Sequence, residues 1–387
     1  MPRGRPTQWQ LVVPWLHSRQ LVTLPAVNRR LLQYWVENVS QIMTLNPENN
    51  PMSFPIVQQL DDSEALVHAL QSVSAGHECF YDLSALSTSL EERGKALCTI
   101  RKEIQSTTAI RLQSFLAVWM LGFSSQWINN DIHDFGQEHL MAARSILEGL
   151  LLQRDFGPDH PFRPLVIGAY LWWDMACSFL VHSSEQTAID TAQVCAAVTS
   201  VRGKFCALVS HATELFYYLC CLGRYCRALV DTGSKNQAFE DYIEQELLMW
   251  DNRADGKTLH LLNEAFRLHG IIMLRRICQS VDNDNERYIR SCVIALLDNI
   301  SKIGTKDPVF KFTTIPLVSA GAELTSQDQQ LRTRVTEWNA VIYSYNRLLT
   351  NTRVTTLLLD LWSRKDAGQP TDWLRLMLEN GWLLMLG

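Results

Sequence analysis

From Val335 to Leu349, the large apolar residues Val335, Trp338, Ile342, Tyr345 and Leu349 recur at steps of three and four. That spacing lines one face of an α-helix and does not fit a half-buried strand, where side chains alternate every two residues. Thr325 followed by Asp328 supplies a start, because short oxygen side chains accept the first free N–H groups of a helix. Beyond a polar break at Thr350–Asn351, the residues Val354, Leu357, Leu358 and Leu361 begin a second stripe. Gly368 and Pro370 stop it, and Thr371 is placed to cap a last short helix ending at Asn380–Gly381.

The same signal recurs upstream. Leu31, Trp35, Val39 and Ile42 form one stripe, closed by Asn46–Pro47, and Ser63 can cap a helix carrying Leu66, Leu70 and Val73. Leu112, Phe115, Leu116, Trp119 and Phe123 give another, and His139-Leu140-Met141-Ala142-Ala143 opens the next. Helical lengths follow at Leu165–Val181, Val201–Leu222, Phe239–Trp250, Leu259–Ile277 and Tyr288–Ile300. The short run Val309–Ile315 is the one strand-like candidate. With 47% apolar and 19% charged residues the chain can bury a large core. The expectation is an all-α fold, a single large multi-helix domain over residues 30–387 behind an extended basic arm over residues 1–29.

The arm carries prolines at 2, 6, 14 and 25 and no stripe. Arg3, Arg5, Arg19, Arg29 and Arg30 precede the first acid, Glu37, so this end is +5 and the rest −10 within a net charge of −5. A net-acidic body is a poor match for phosphate backbones, which need clustered Lys and Arg. Direct DNA contact is therefore expected only from the arm. There Arg3-Gly4-Arg5-Pro6 resembles the core of an AT-hook, in which Arg-Gly-Arg lies in a narrow A·T-rich minor groove. The basic flanks of that motif are missing, and a solvated tail is the plainer reading. An acid-free, arginine-bearing start also suits a mitochondrial presequence, but the prolines oppose the amphipathic helix it needs. The ten cysteines are dispersed and no secretory leader is evident, so free thiols in a reducing compartment are expected. Leu165–Val181, the most apolar stretch, contains Asp174 and reads as a buried helix rather than a membrane span.

Several segments together resemble the fungal-specific transcription factor domain, the regulatory half of many fungal zinc-cluster activators. They are the Leu31–Trp35 helix with its Asn-Pro loop, Ala65–Leu70 continuing to Ser74–His77, and the His139–Ala143 run. In the tail they are a Pro316–Glu323 turn, Leu357–Trp362, and Asp372–Trp373 with Gly381–Trp382. Ala142 stands where the family has glycine. The resemblance makes Val309–Ile315 a loop or the start of a helix. It also implies a nuclear regulator of transcription serving a metabolic pathway or a secondary-metabolite gene cluster, responsive to a small-molecule effector. Its partners would be other transcription factors or co-regulators, with homo- or heterodimers expected and no membrane. The family's binuclear zinc cluster needs six cysteines in two CxxC-containing sets. This sequence has no CxxC, and Cys220-Cys221 with Cys226 has the wrong spacing. DNA is then reached only indirectly, unless the arm binds it.

No catalytic constellation and no cofactor are expected. Phosphate loops, GxGxxG, GxSxG and HExxH are absent. Asp131, His133, Asp134, Glu138 and His139 crowd metal-capable groups into nine residues, yet loop, cap and packing roles suit them better. His68, His77, His260 and His269 lie on or beside apolar helical stretches, where a hydrogen bond to a backbone carbonyl is the common outcome. Asp174, between Trp173 and Met175, must find a donor or shift its pKa upward. A buried structural hydrogen bond is the first expectation for it, and a place in an effector cavity the second. A rival reading keeps the scaffold and gives it another task, as an enzyme or small-molecule-binding protein encoded in the same gene cluster.

Overall fold

The computed structural model describes residues 26–386 apart from 107–109, 130–132, 280–281 and 370. Among these the chain is α-helical throughout, and β pairing is limited to one isolated bridge, Cys206–Ser210. The first half contains α1 (Arg29–Tyr34), α2 (Glu64–Glu78), α3 (Ala85–Ser106), α4 (Leu112–Phe123), α5 (Gln137–Leu151), α6 (Arg163–Cys177) and α7 (Ala192–Ser200). The second contains α8 (Thr213–Thr232), α9 (Gln237–Met249), α10 (Lys257–Met273), α11 (Asn283–Ile303), α12 (Thr314–Ala322), α13 (Gln329–Asn346), α14 (Leu349–Asp366) and α15 (Trp373–Glu379). Shorter helical turns join them.

Successive helices pack in pairs: α2 on α3, α4 on α5, α6 on α8, α10 on α11 and α13 on α14. The pairs share one continuous core. Ser63 caps α2 by accepting from the Leu66 N–H at 3.1 Å. The Thr325–Asp328 capping box forms, and Asp328 also receives Arg290 of α11.

The tail differs from its sequence reading in three places. The expected Pro316–Glu323 turn is instead mostly the helix α12, in which Thr314 to Ala322 are all buried among α10, α11, α13, α14 and α15. A helix buried on every side has no polar face and so no stripe to read. The break between α13 and α14 falls at Arg347–Leu348 rather than Thr350–Asn351. Asn346 causes it: its side-chain oxygen accepts from the Leu348 N–H and from Asn351, so Asn351 sits inside α14 while Arg347 takes a left-handed turn at φ 58°. Tyr345 and Leu349 accordingly leave the stripe and are partly exposed. The cap of α15 is Asp372, not Thr371.

Val201–Leu222 is likewise not one helix. Residues 201–212 form a buried loop held by the Cys206–Ser210 bridge and by the Leu45 N–H donating to the Ala207 carbonyl at 2.7 Å. Val309–Ile315 is helical, a 3-10 turn leading into α12. At Gly223 an added Cβ would lie 1.9 Å from Ser178 Oγ, so α8 approaches the end of α6 more closely than any other residue would allow. That approach sets up the site described next.

Candidate functional site

α6 is apolar all round, and Asp174 sits on it one turn after Tyr170. Asp174 is fully buried, and its carboxylate is gripped by Arg224 of α8 through two hydrogen bonds, Nη1 to Oδ2 and Nη2 to Oδ1, each 2.6 Å. The Tyr170 hydroxyl donates to Oδ1 at 3.0 Å. Arg224 Nε also donates to the Thr187 carbonyl at 3.0 Å, and its Nη1 to that of Cys220 at 3.2 Å. Burial pushes the Asp174 carboxyl up, but the charge and hydrogen bonds of Arg224 outweigh it and leave the group below its ordinary value. Asp174 and Arg224 line a crevice of about 20 Å³ together with Gln137, Leu140, Arg144 and Gln186, which is room for about one water.

Two larger openings lie elsewhere. One of about 210 Å³ is bounded by the 201–212 loop, α8 and the end of α9, and its walls include Arg202, His211, Glu214, Tyr218, Glu246 and Trp250. Arg202 pairs with Glu214, and the Tyr218 hydroxyl faces Glu246. The other is a shallower groove of about 450 Å³ along Arg111, Gln113, Gln153 and His160. Neither was visible in the sequence, because each joins residues from separate helices and loops with no motif between them.

The histidines divide by partner. His68 Nδ1 meets a carboxylate, Glu92 at 2.7 Å, not the expected carbonyl. His77 Nδ1 pairs with the Tyr34 hydroxyl at 3.0 Å, and burial lowers its pKa to about 4. His269 pairs with Ser319 Oγ at 2.5 Å, and burial lowers it to about 3. His260 is exposed. His139 is lowered to about 4 by burial and by Arg93, whose guanidinium lies 3.2 Å from its Nε2. Asp134 accepts from the Gly136 N–H at 3.0 Å, a loop role. Asp131 lies outside the described residues, as do Arg3, Gly4 and Arg5. Among the described residues no group of three or more His, Cys, Asp or Glu is arranged to hold a metal. The ten cysteines are free, and among the described residues no helix is long and apolar enough to cross a membrane.

The fold and these openings define a large all-helical domain in which several buried charges, Asp174 with Arg224 and Glu323 with Arg276 among them, are held in ion pairs. The sequence model of the fungal specific transcription factor domain matches residues 30–387. The chain belongs to that family, and its role is in transcription regulation. No curated protein and no solved structure gives a significant match to it.

Proposed function

We propose that the chain regulates transcription of a fungal metabolic or secondary-metabolite gene cluster from the nucleus, as a helical domain that responds to an effector or to partner proteins. The family match over residues 30–387 carries this reading. Its partners in this reading are other transcription factors or co-regulators, and Arg3, Gly4 and Arg5 are its candidate minor-groove contacts. The opening of about 210 Å³ is the better place for an effector, since the crevice at Asp174 holds about one water. Asp174 can line an effector cavity only if α6 and α8 move apart and the ion pair with Arg224 opens. A ligand able to do this shifts the domain between two arrangements by binding one of them more tightly.

Tethering the chain to an unrelated DNA-binding domain upstream of a reporter tests the reading. A change in reporter output, together with altered transcript levels of a gene cluster when the gene is deleted, supports it. An unchanged reporter and an unchanged transcriptome refute it.

A further inference from the structure

α3 turns an unusual face to its own core. Apart from Ile100, the residues it buries are small or polar, Ala85, Ser89, Glu92 and Ala96, and the Ser72 and Ser89 hydroxyls each donate to the other's backbone carbonyl at 2.9 and 2.8 Å. Small residues here bring α2 and α3 close together. The large apolar residues lie on the outside. Leu83, just ahead of the helix, and Leu90, Leu97 and Ile104 on it are 80, 47, 40 and 54% exposed. They recur every seven residues and so occupy one of the two seam positions of a helix pair, the other holding Ser87, Gly94 and Arg101. Single exposed leucines are ordinary, whereas four in heptad register on one helix edge form a docking stripe.

The stripe is symmetric. The midpoint of Leu90 and Leu97 is also the midpoint of Leu83 and Ile104, and it falls beside Gly94. A Cβ added at Gly94 would meet nothing within 4 Å, so a second helix can approach there without obstruction. The charges are polarised about the same point. Asp82 and Glu91 are exposed before it, and Lys95, Arg101 and Lys102 after it, with Lys95 also bridging back to Glu91 at 2.6 Å and Glu92 at 2.9 Å on its own helix. The other charged side chains turn inward: Glu92 to His68 and Gln71, Glu103 to Ser63 and Ala65, and Arg93 to the Leu121 carbonyl and Ser125.

We propose that α3 is a self-association surface, on which two copies of this chain pair antiparallel about a two-fold axis at Gly94. A two-fold interface places one patch on itself, so the patch must be self-complementary, and this stripe is. Leu90 packs on Leu97 of the partner subunit, and Leu83 on Ile104 of the partner subunit. Antiparallel pairing lays each acidic half on a basic half and opposes the helix dipoles, whereas parallel pairing stacks like charges. The 22-residue helix is about 33 Å long, and a single helix pair of that length buries less than a standard interface. The dimer is therefore weak, with a Kd of about the micromolar range.

Sedimentation velocity on the full chain, from low to high micromolar, is expected to show a reversible monomer–dimer equilibrium. Leu90→Asp combined with Leu97→Asp is expected to leave a monomer with an unchanged helical circular-dichroism spectrum, since both positions are on the surface. In a Cys98→Ser background, Gly94→Cys is expected to give a disulfide-linked dimer under oxidised glutathione, because Cα atoms beside the axis come within disulfide range. There Leu83→Cys is expected to cross-link only when mixed with Ile104→Cys. A chain that stays monomeric throughout overturns the proposal, as does a dimer that survives the aspartate pair. Self-linkage at Leu83→Cys without linkage at Gly94→Cys overturns the antiparallel arrangement.

Discussion

Removing the Asp174 carboxylate tests whether the Arg224 pair holds α6 and α8 together. Asp174→Ala leaves a guanidinium whose side chain is only 15% exposed without its counter-ion. Breaking such a pair from one side costs about 3–5 kcal/mol, chiefly because the remaining charge stays buried. An unfolding entropy of about 2.1 cal/mol/K per residue over 387 residues is about 0.8 kcal/mol/K. The expected fall in Tm is therefore about 4–6 °C. Replacing both partners, Asp174→Leu with Arg224→Met, removes both charges and is expected to recover most of that loss. Circular-dichroism melts at neutral pH, at one protein concentration, measure both variants. Because the folded carboxyl lies below its ordinary value, its contribution is complete above the unfolded value of about 4 and disappears as the pH falls below it. The gap between wild type and Asp174→Ala should narrow in that window. A Tm shift under about 1 °C for the single variant, or a double variant whose loss equals the sum of the two single losses, refutes the argument.

Acid should weaken the fold before the carboxylates titrate. His77, His139 and His269 are held neutral down to about 4, 4 and 3, while in the unfolded chain they take up protons near pH 6.5. Stability should fall as the pH drops from about 6.5 toward 4, by up to about 1.4 kcal/mol per pH unit for each histidine, and urea melts across that range measure the slope. Gly223→Ala, which sets a Cβ against Ser178, should cost about 1–3 kcal/mol, read as a lower urea midpoint with an unchanged m value. Arg276→Met strands the buried Glu323 carboxylate, which keeps only Lys365 at 3.5 Å, and should lower Tm by about 4 °C in the same melts.

The helices were legible wherever one face is wet and the other dry. Ser63, the capping box at Thr325–Asp328, the stripes through Trp35 and Trp119, and the Val335–Ile342 part of the one through Trp338 stand in the structure as their spacing implies. What failed to show was anything set by a distant neighbour. α12 has no stripe because five helices surround it, and Asn346 ends α13 through a side-chain bond that periodicity does not encode. The partner of Asp174 lies fifty residues away on α8, and nothing around Arg224 in the sequence marks it as that partner. Family likeness was legible for a different reason, since it rests on the order of many soft motifs rather than on the chemistry of any one.

α3 shows how period and burial can part company. Its leucines form the strongest apolar repeat on the helix, and a rule that sends large apolar residues inward would bury them. The inward face is set instead by the close approach of α2, where the Ser89 and Ser72 hydroxyls bond across and Ala96 packs, with Ile100 the one large apolar residue it buries. Period fixes which residues share a face, and the neighbouring helix fixes which face is buried. When the two disagree, an apolar face is left outside, and on α3 that is the face on which the proposed self-association rests.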